Sequence, residues 1–254
     1  MPRTIILIDG DQYLYRACAA TEHETKWDEE NHVLASNEVE AWDTVSSSLK
    51  KVIDHFGSKD YVLTFSEGEV FRKQIDPTYK GNRAGTRKPL CYYDVRERLI
   101  AAHKSIMFNG LEADDVMGIL ATKPGPDSKI IVARDKDMKT IPGKLWDGSK
   151  FLTITEYEAN YWHLYQTLVG DTADGYKGCP GIGPKKAEQA LCELNPNSDA
   201  FNANCKVGWE VIKILYANAG LTEEDALKQA RLARILRWSD WDSIKKEPIL
   251  WSPG

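Results

Sequence analysis

Residues Gly110 to Ala121 read Gly-Leu-Glu-Ala-Asp-Asp-Val-Met-Gly-Ile-Leu-Ala, placing three carboxylates, Glu112, Asp114 and Asp115, directly ahead of an apolar run. Carboxylates held side by side repel one another, so unless they face water a cation must sit among them. For this stretch alone, acids drawn to a helix N-terminus by its dipole are an equal explanation. The other acids extend the pattern: Asp9, Asp135, Asp137, Asp171 and Asp174 each follow an apolar run or open a turn. In a continuous helix Asp114 would point well away from Glu112, so the segment is expected to begin its helix through an irregular turn.

The second chemical group is basic. From Arg72 to Lys104 there are nine Lys or Arg against three acids, on a chain whose formal net charge is -5. Net charge argues against a nucleic-acid partner, but cations can cluster and metals can mask acids, so distribution matters more. Within this stretch lies Tyr79-Lys80-Gly81-Asn82-Arg83, followed by Arg87 and Lys88. If it is helical, Lys80 and Arg83 face the same way and can grip one phosphate, with Tyr79 free to stack on a base. A solvated basic face is the alternative. Further on, Gly181-Ile182-Gly183-Pro184-Lys185-Lys186 is a tight hairpin that opens a helix N-terminus. Its free N–H groups and two lysines form an anion site, and with a helix before it the stretch reads as a helix-hairpin-helix gripping duplex phosphates.

Elements must position these groups. Thr4 to Ile8 is a continuous apolar run, the pattern of a strand buried on both faces of a parallel sheet, and Asp9 ends it. Open α/β sheets form their sites at such carboxyl ends. Asp11 either caps the next helix or joins the acids. Residues 21–37 read as a loop or weak hairpin; residues 39–56 recur at helical spacing up to Gly57, and 61–65 is a second strand. A helix at 93–103 precedes the acid-rich one. Residues 129–133 form a third buried strand, after which Asp135 and Asp137 point the same way if the segment is extended. Residues 144–155 suggest a hairpin or edge strand. Residues 157–169, 207–217 and 224–238 suggest helices, with Trp238, Trp241 and Trp251 covering their core.

The resulting fold class is α/β: a mostly parallel central sheet flanked by helices over residues 1–155, then a helical region over residues 156–254. With 254 residues, 42% of them hydrophobic, the chain can bury a core without staples. Five cysteines with no CxxC pair indicate neither a disulfide framework nor a zinc ribbon. No signal pattern and no run near the ~18 apolar residues of a membrane span is present, so a soluble cytoplasmic protein is expected.

Together these stretches resemble the 5′-nuclease family, which includes flap endonucleases, the 5′-nuclease domains of bacterial DNA polymerases and phage 5′-to-3′ exonucleases. The landmarks stand in the family's order: Ile8-Asp9-Gly10, Tyr79-Lys80-x-x-Arg83, Glu112-Ala113-Asp114-Asp115-Val116, Asp135-Lys136-Asp137-Met138, Gly170-Asp171-x-x-Asp174-Gly175 and Gly181-Ile182-Gly183. The compact length, with no polymerase attached, looks most like a phage exonuclease. The resemblance implies a PIN-like nuclease core with two divalent metal ions and a helical DNA-binding region whose helix-hairpin-helix also tends to bind potassium. It makes Asp9, Glu112, Asp114, Asp115, Asp135, Asp137, Asp171 and Asp174 the metal ligands, direct or through water, and gives the scissile phosphate to Lys80 and Arg83. An oxygen-only set suits magnesium or manganese rather than zinc. Such a pair of ions would activate a water and stabilise the leaving oxygen, releasing a 5′-phosphate. The implied partner is double-stranded DNA with a 5′ end, nick or flap, or an RNA-DNA hybrid, bound by a monomer in phage DNA replication or degradation.

Two departures from the family stand out. Leu63-Thr64-Phe65 is followed by Ser66-Glu67 where the family carries an Asp, so that ligand is lost, shifted or supplied by Glu67. Only 28 residues separate Arg83 from Glu112, short for an arch that threads a strand. The rival readings are a nuclease mainly removing RNA from hybrids, a DNA-binding relative without catalysis and, more distantly, a haloacid-dehalogenase-type phosphatase read from Asp9-Gly10-Asp11. The last leaves Glu112 to Asp115 and the glycine hairpin unexplained.

Overall fold

A computed structural model describes residues 3–28, 31–191 and 201–253. The first strand, β1 (Thr4–Asp9), places Ile6 and Ile8 on one side and Leu7 on the other, all buried, so both of its faces need cover. It sits inside a six-stranded sheet formed with β4 (Tyr61–Thr64), β5 (Ser105–Ile106), β6 (Ser128–Val132), β7 (Gly143–Trp146) and β8 (Phe151–Ile154). The order is β5-β4-β1-β6-β7-β8, and only the edge strand β8 runs antiparallel. Between β1 and β4, β2 (Glu22–Lys26) and β3 (His32–Ser36) pair antiparallel.

Helices supply the cover. The Ile6 and Ile8 face receives Leu14 from α1 (Gly10–Ala20), Val45 and Leu49 from α2 (Glu38–Phe56), and Val95 and Leu99 from α4 (Tyr92–Ala102). The Asn37 side chain caps α2 and Gly57 ends it with φ of 59°, the left-handed conformation that glycine takes without a Cβ clash. The Leu7 face receives Met117 from α5 (Ala113–Thr122) and Ala159 from α6 (Glu156–Val169). Because the inner strands are parallel, their carboxyl ends share one edge. Asp9 ends β1 there, Ser66 and Glu67 follow β4, and Asp135 follows β6.

Helix α6 belongs to two cores. Its first half meets the sheet, while Leu164 and Leu168 pack with Ala187 of α7 (Pro184–Leu191), Ile212 and Tyr216 of α8 (Phe201–Asn218) and Ala230 of α9 (Glu223–Ala233). The helix expected over 224–238 stops at Ala233, and Arg234 is extended. Its continuation is outcompeted by tertiary partners: the Arg234 carbonyl accepts from Arg72, and the Leu236 N–H donates to Asp115. Leu236 then joins Val116, Ile119, Phe71 and Trp241 in a cluster on α5. Trp251 meets His163 and Trp209 on the helical core, and Trp238 is part-buried beside α5. Cys18, Cys91 and Cys179 are buried free thiols, whereas Cys192 and the Cys205 side chain lie outside the described residues. Among the described residues no helix is long and apolar enough to cross a membrane.

The contact between α5 and the returning chain is close. A Cβ on Gly118 would lie 2.2 Å from the Leu236 carbonyl oxygen. Gly118→Ala should therefore force the 234–237 segment off α5 and cost about 1–3 kcal/mol, read as a melting temperature several degrees lower by calorimetry. An unchanged melting temperature would show that this segment does not depend on the contact.

Candidate metal centre and nucleic-acid interface

Asp9 itself caps α1, its carboxylate accepting the Gln12 N–H at 2.9 Å. Asp11, one candidate for that cap, instead accepts from the Ser66 N–H at 2.8 Å and the Tyr92 hydroxyl at 3.2 Å. It thus places a carboxylate beside Ser66, where an acid was expected. Glu67, the candidate replacement, pairs with Arg96 at 2.9 Å.

Glu112 stands just before α5 in an extended conformation, φ -83° and ψ 159°, the irregular turn that the spacing requires. Asp114 and Asp115 then diverge by the ~100° that separates adjacent helical residues. Asp115 is fully buried, and Arg72 of α3 (Arg72–Ile75) donates to its two oxygens at 2.7 and 2.8 Å. The same guanidinium reaches Glu112 at 3.0 Å and the carbonyls of Leu232 and Arg234. Burial opposes the Arg72 charge, but Asp115 and Glu112 outweigh it and hold the group well above its ordinary range. Asp115, expected among the metal ligands, therefore has its oxygens committed to Arg72 and the Leu236 N–H.

The remaining acids are differently placed. Burial pushes the Asp9 carboxyl up to about 7, with Asp11 and Asp135 adding repulsion. Burial, then the charges of Asp9, Asp135 and Glu112, raises Asp114 well above the usual carboxylate range. Asp137 is also pushed up to about 7, by burial first and Asp135 next. Asp9, Asp114 and Asp135 have no salt-bridge partner among the described residues. Asp135 accepts the Asp137 N–H at 2.8 Å and starts a 3-10 turn over Lys136–Thr140, so these two acids do not share an extended segment as expected. Tight turning straight after β6 aims them separately. Asp171 accepts from the Ala173 and Asp174 N–H groups and from Lys136 at 2.9 Å. Although burial opposes it, Lys136 holds the Asp171 carboxyl below its ordinary value.

Lys80 and Arg83 do converge, but not through a helix. Lys80 has φ of 54° and precedes a 3-10 turn at Gly81–Arg83; its backbone N–H is held by the Asp174 carbonyl at 2.8 Å. Its ammonium donates to Glu112 and lies 3.5 Å from Asp174, which Arg83 meets at 2.7 Å. Tyr79 is 3% exposed and its hydroxyl bridges Glu112 and Asp174 at 2.9 and 3.0 Å, so it is not available to stack on a base. Packing against Tyr176 and Leu232 holds it inside.

A cleft of about 1050 Å³ is lined by Asp9, Glu112 and Asp114 together with Lys80, Arg83, Arg87 and Lys88, whereas Asp135, Asp137, Asp171 and Asp174 do not line it. Tyr15 and Tyr93, 42% and 63% exposed, also line it, and neither stands out in the sequence. Arg87 is pinned to Glu22 at 2.6 Å, and Lys88 lies 4.6 Å from the Tyr92 ring centre. A second cavity of about 500 Å³ lies at the opposite strand ends, near Ile5, Val62 and Leu120, and includes none of the acid set. In the hairpin, Gly181 has φ of 76°, Lys186 donates to its carbonyl at 2.9 Å, and Gly183 and Lys185 are exposed ahead of and within α7.

As placed, no three acids among the described residues form a ready metal cage; Lys80, Arg83 and Lys136 stand between them. The donor set nevertheless fits a hard divalent ion. It offers only carboxylate oxygens, and Asp9 and Asp114, raised by burial first and by neighbouring carboxylates next, lie where a bound cation would offset both. For Asp115 the expected behaviour is different. Asp115→Asn should cost about 3–5 kcal/mol in urea unfolding, equally in EDTA and in magnesium; a cost confined to magnesium would return Asp115 to the metal ligands.

Comparison with known proteins agrees with this geometry. Residues 4–159 match the family of 5′-3′ exonuclease N-terminal resolvase-like domains. The chain is 34% identical to the exonuclease of Escherichia phage T7, over 98% of this chain and 93% of that one. It is 28% identical to the flap endonuclease Xni of Shewanella pealeana, over 84% and 85% of the two chains. In fold it resembles the T5 5′-exonuclease with divalent zinc ions bound, with a TM-score of 0.63 at 18% identity over 91% of this chain and 89% of that one. The catalytic core of Rad2 in complex with DNA substrate gives 0.56 at 15% identity, over 99% and 83%. Sequence match across nearly the whole chain, landmarks in order and acids gathered at one sheet edge lead to one conclusion: the chain belongs to the 5′-3′ exonuclease family and is a 5′-3′ nuclease.

Proposed function

We propose that the protein hydrolyses DNA phosphodiester bonds from a 5′ end, nick or flap, using two magnesium or manganese ions. The observation that carries this reading is the set Asp9, Asp114 and Asp135 at one sheet edge, none in a salt bridge among the described residues, with Asp9 and Asp114 raised by burial first and by neighbouring carboxylates next. Asp9, Glu112, Asp114, Asp135, Asp137, Asp171 and Asp174 would hold the ions, directly or through water. Bound there, the ions supply a reactive water and charge stabilisation for the leaving oxygen. Lys80 and Arg83 exchange their present carboxylate partners for the scissile phosphate and stabilise the charge that develops on it. Buried in its pair with Arg72, Asp115 fixes the rotation of α5 so that Asp114 faces the cleft.

Tyr15 and Tyr93 take the stacking role first read into Tyr79, with Arg87 and Lys88 beside them along the strand. Gly181, Gly183, Lys185 and Lys186 hold duplex phosphates, and the hairpin is the place for potassium. The segment between Arg83 and Glu112 is folded down: Pro89, Cys91, Tyr92, Val95 and Leu99 are buried. That packing supports an open cleft, and with it exonuclease action over strand threading. The protein works as a monomer in the host cytoplasm, and an RNA-DNA hybrid is a second substrate of the same site. A boundary near residue 155 separates nuclease core from DNA-binding region, except that Ile235, Leu236 and Trp241 return to the nuclease core.

The test is a nicked or 5′-overhanging duplex, labelled at its 5′ end and incubated in magnesium and in EDTA. Short 5′-labelled products are expected in magnesium alone; an intact substrate in magnesium, or cutting in EDTA, contradicts the proposal. Asp114→Asn should reduce cleavage to background while duplex binding in calcium persists, whereas lost binding would make that acid structural. Lys185→Ala should weaken duplex binding and reduce the slope of log affinity against log salt by about 1, leaving single-turnover cleavage at saturation intact. An unchanged slope would remove Lys185 from the interface.

A further inference from the structure

Three polar side chains of α6 are buried: His163, Gln166 and Thr167, at 2%, 8% and 0% exposure. Two of them serve the helical region. His163 hydrogen-bonds the Ala230 carbonyl at 2.8 Å, while the Thr167 hydroxyl donates to the His163 carbonyl at 2.9 Å. Gln166 turns the other way. Its Nε2 donates to Oδ1 of Asp137, and its Oε1, also buried, has no hydrogen-bond partner among the described residues. Its backbone carbonyl accepts the Gly170 N–H at 2.8 Å, closing the helix one residue before Asp171.

We infer that Gln166 is a positioning residue of the metal site, orienting Asp137 through its side chain and Asp171 through the helix end, without neutralising either carboxylate. This rests on the metal-dependent reading above. The residue type explains the choice. An Arg or Lys at 166 would cancel the Asp137 charge, as Arg72 does for Asp115, and an acid would add to the repulsion. A neutral amide donor fixes one oxygen and leaves the other, which accepts no hydrogen bond from the described residues, to face a cation. Groups that hold metal-ligating side chains in this way set metal affinity without touching the ion. The unpartnered buried Oε1 carries a cost that an amide kept only for packing would not.

Manganese binding to the full chain, measured by titration calorimetry, tests this in wild type and Gln166→Met, which keeps length and bulk but lacks the N–H. Melting in EDTA and duplex cleavage kinetics are run beside it. Manganese affinity is expected to fall about 10- to 100-fold, with melting in EDTA unchanged or higher and kcat reduced at constant KM. Unchanged manganese affinity overturns the inference. So does a weakened affinity accompanied by a melting loss above about 5 °C in both Gln166→Met and Gln166→Leu, the mark of a packing residue. A wild type that takes up no manganese overturns the metal reading itself, and this inference with it.

Discussion

Repulsion among desolvated carboxylates is the constraint around which this protein is built. Parallel strands bring Asp9, Asp135 and the start of α5 to one edge of the sheet, where burial and neighbouring carboxylates raise Asp9 and Asp114. A fold of this size has only about 5–15 kcal/mol of net stability. Such a group persists because the two apolar cores on either face of β1 are extensive and the acids are held from outside by their own backbone partners. Asp9 caps a helix, Asp135 caps a turn, and Asp171 closes a loop, so each acid is oriented by N–H donors that leave its charge in place.

Against that background, Arg72 divides the acids into two sorts. Asp115 and Arg72 form a buried pair whose Coulombic gain is offset by desolvation, and whose value lies in what it ties together. One guanidinium links α5, Glu112 and the carbonyls of Leu232 and Arg234, so the returning C-terminal segment is locked to the nuclease core. Adjacent residues on α5 thereby have opposite surroundings: both Asp115 oxygens accept from Arg72, whereas Asp114 lines the cleft without a salt bridge among the described residues. Lys80, Arg83 and Lys136 lie between these extremes, paired with acids and part-exposed or exposed.

What the sequence made legible follows from locality. The β1 run, Gly57 as a helix stop, the α6 pattern and the irregular turn before α5 depend on near neighbours, and each stands where expected. So does the order of the acid landmarks. What was not legible depends on distant partners. Tyr79 looks free to stack until Tyr176 and Leu232 bury it, and nothing near Asp115 in the sequence shows that Arg72, 43 positions earlier, donates to both its oxygens. The helix over 224–238 stops early because Arg72 and Asp115 bind its extended backbone. In the sequence Arg72 stands with Lys73 at the start of the basic stretch, and nothing near it marks Asp115 as its partner.

If the acids are retained at an electrostatic cost for the sake of metal binding, that cost should be measurable directly. The decisive comparison is thermal unfolding of wild type and Asp114→Asn, each in EDTA and in saturating magnesium. Relief of repulsion predicts that the variant melts higher than wild type in EDTA, and that magnesium stabilises wild type strongly and the variant little, reversing or erasing the order. A variant that melts lower in EDTA, or that gains as much from magnesium as wild type does, would contradict the account.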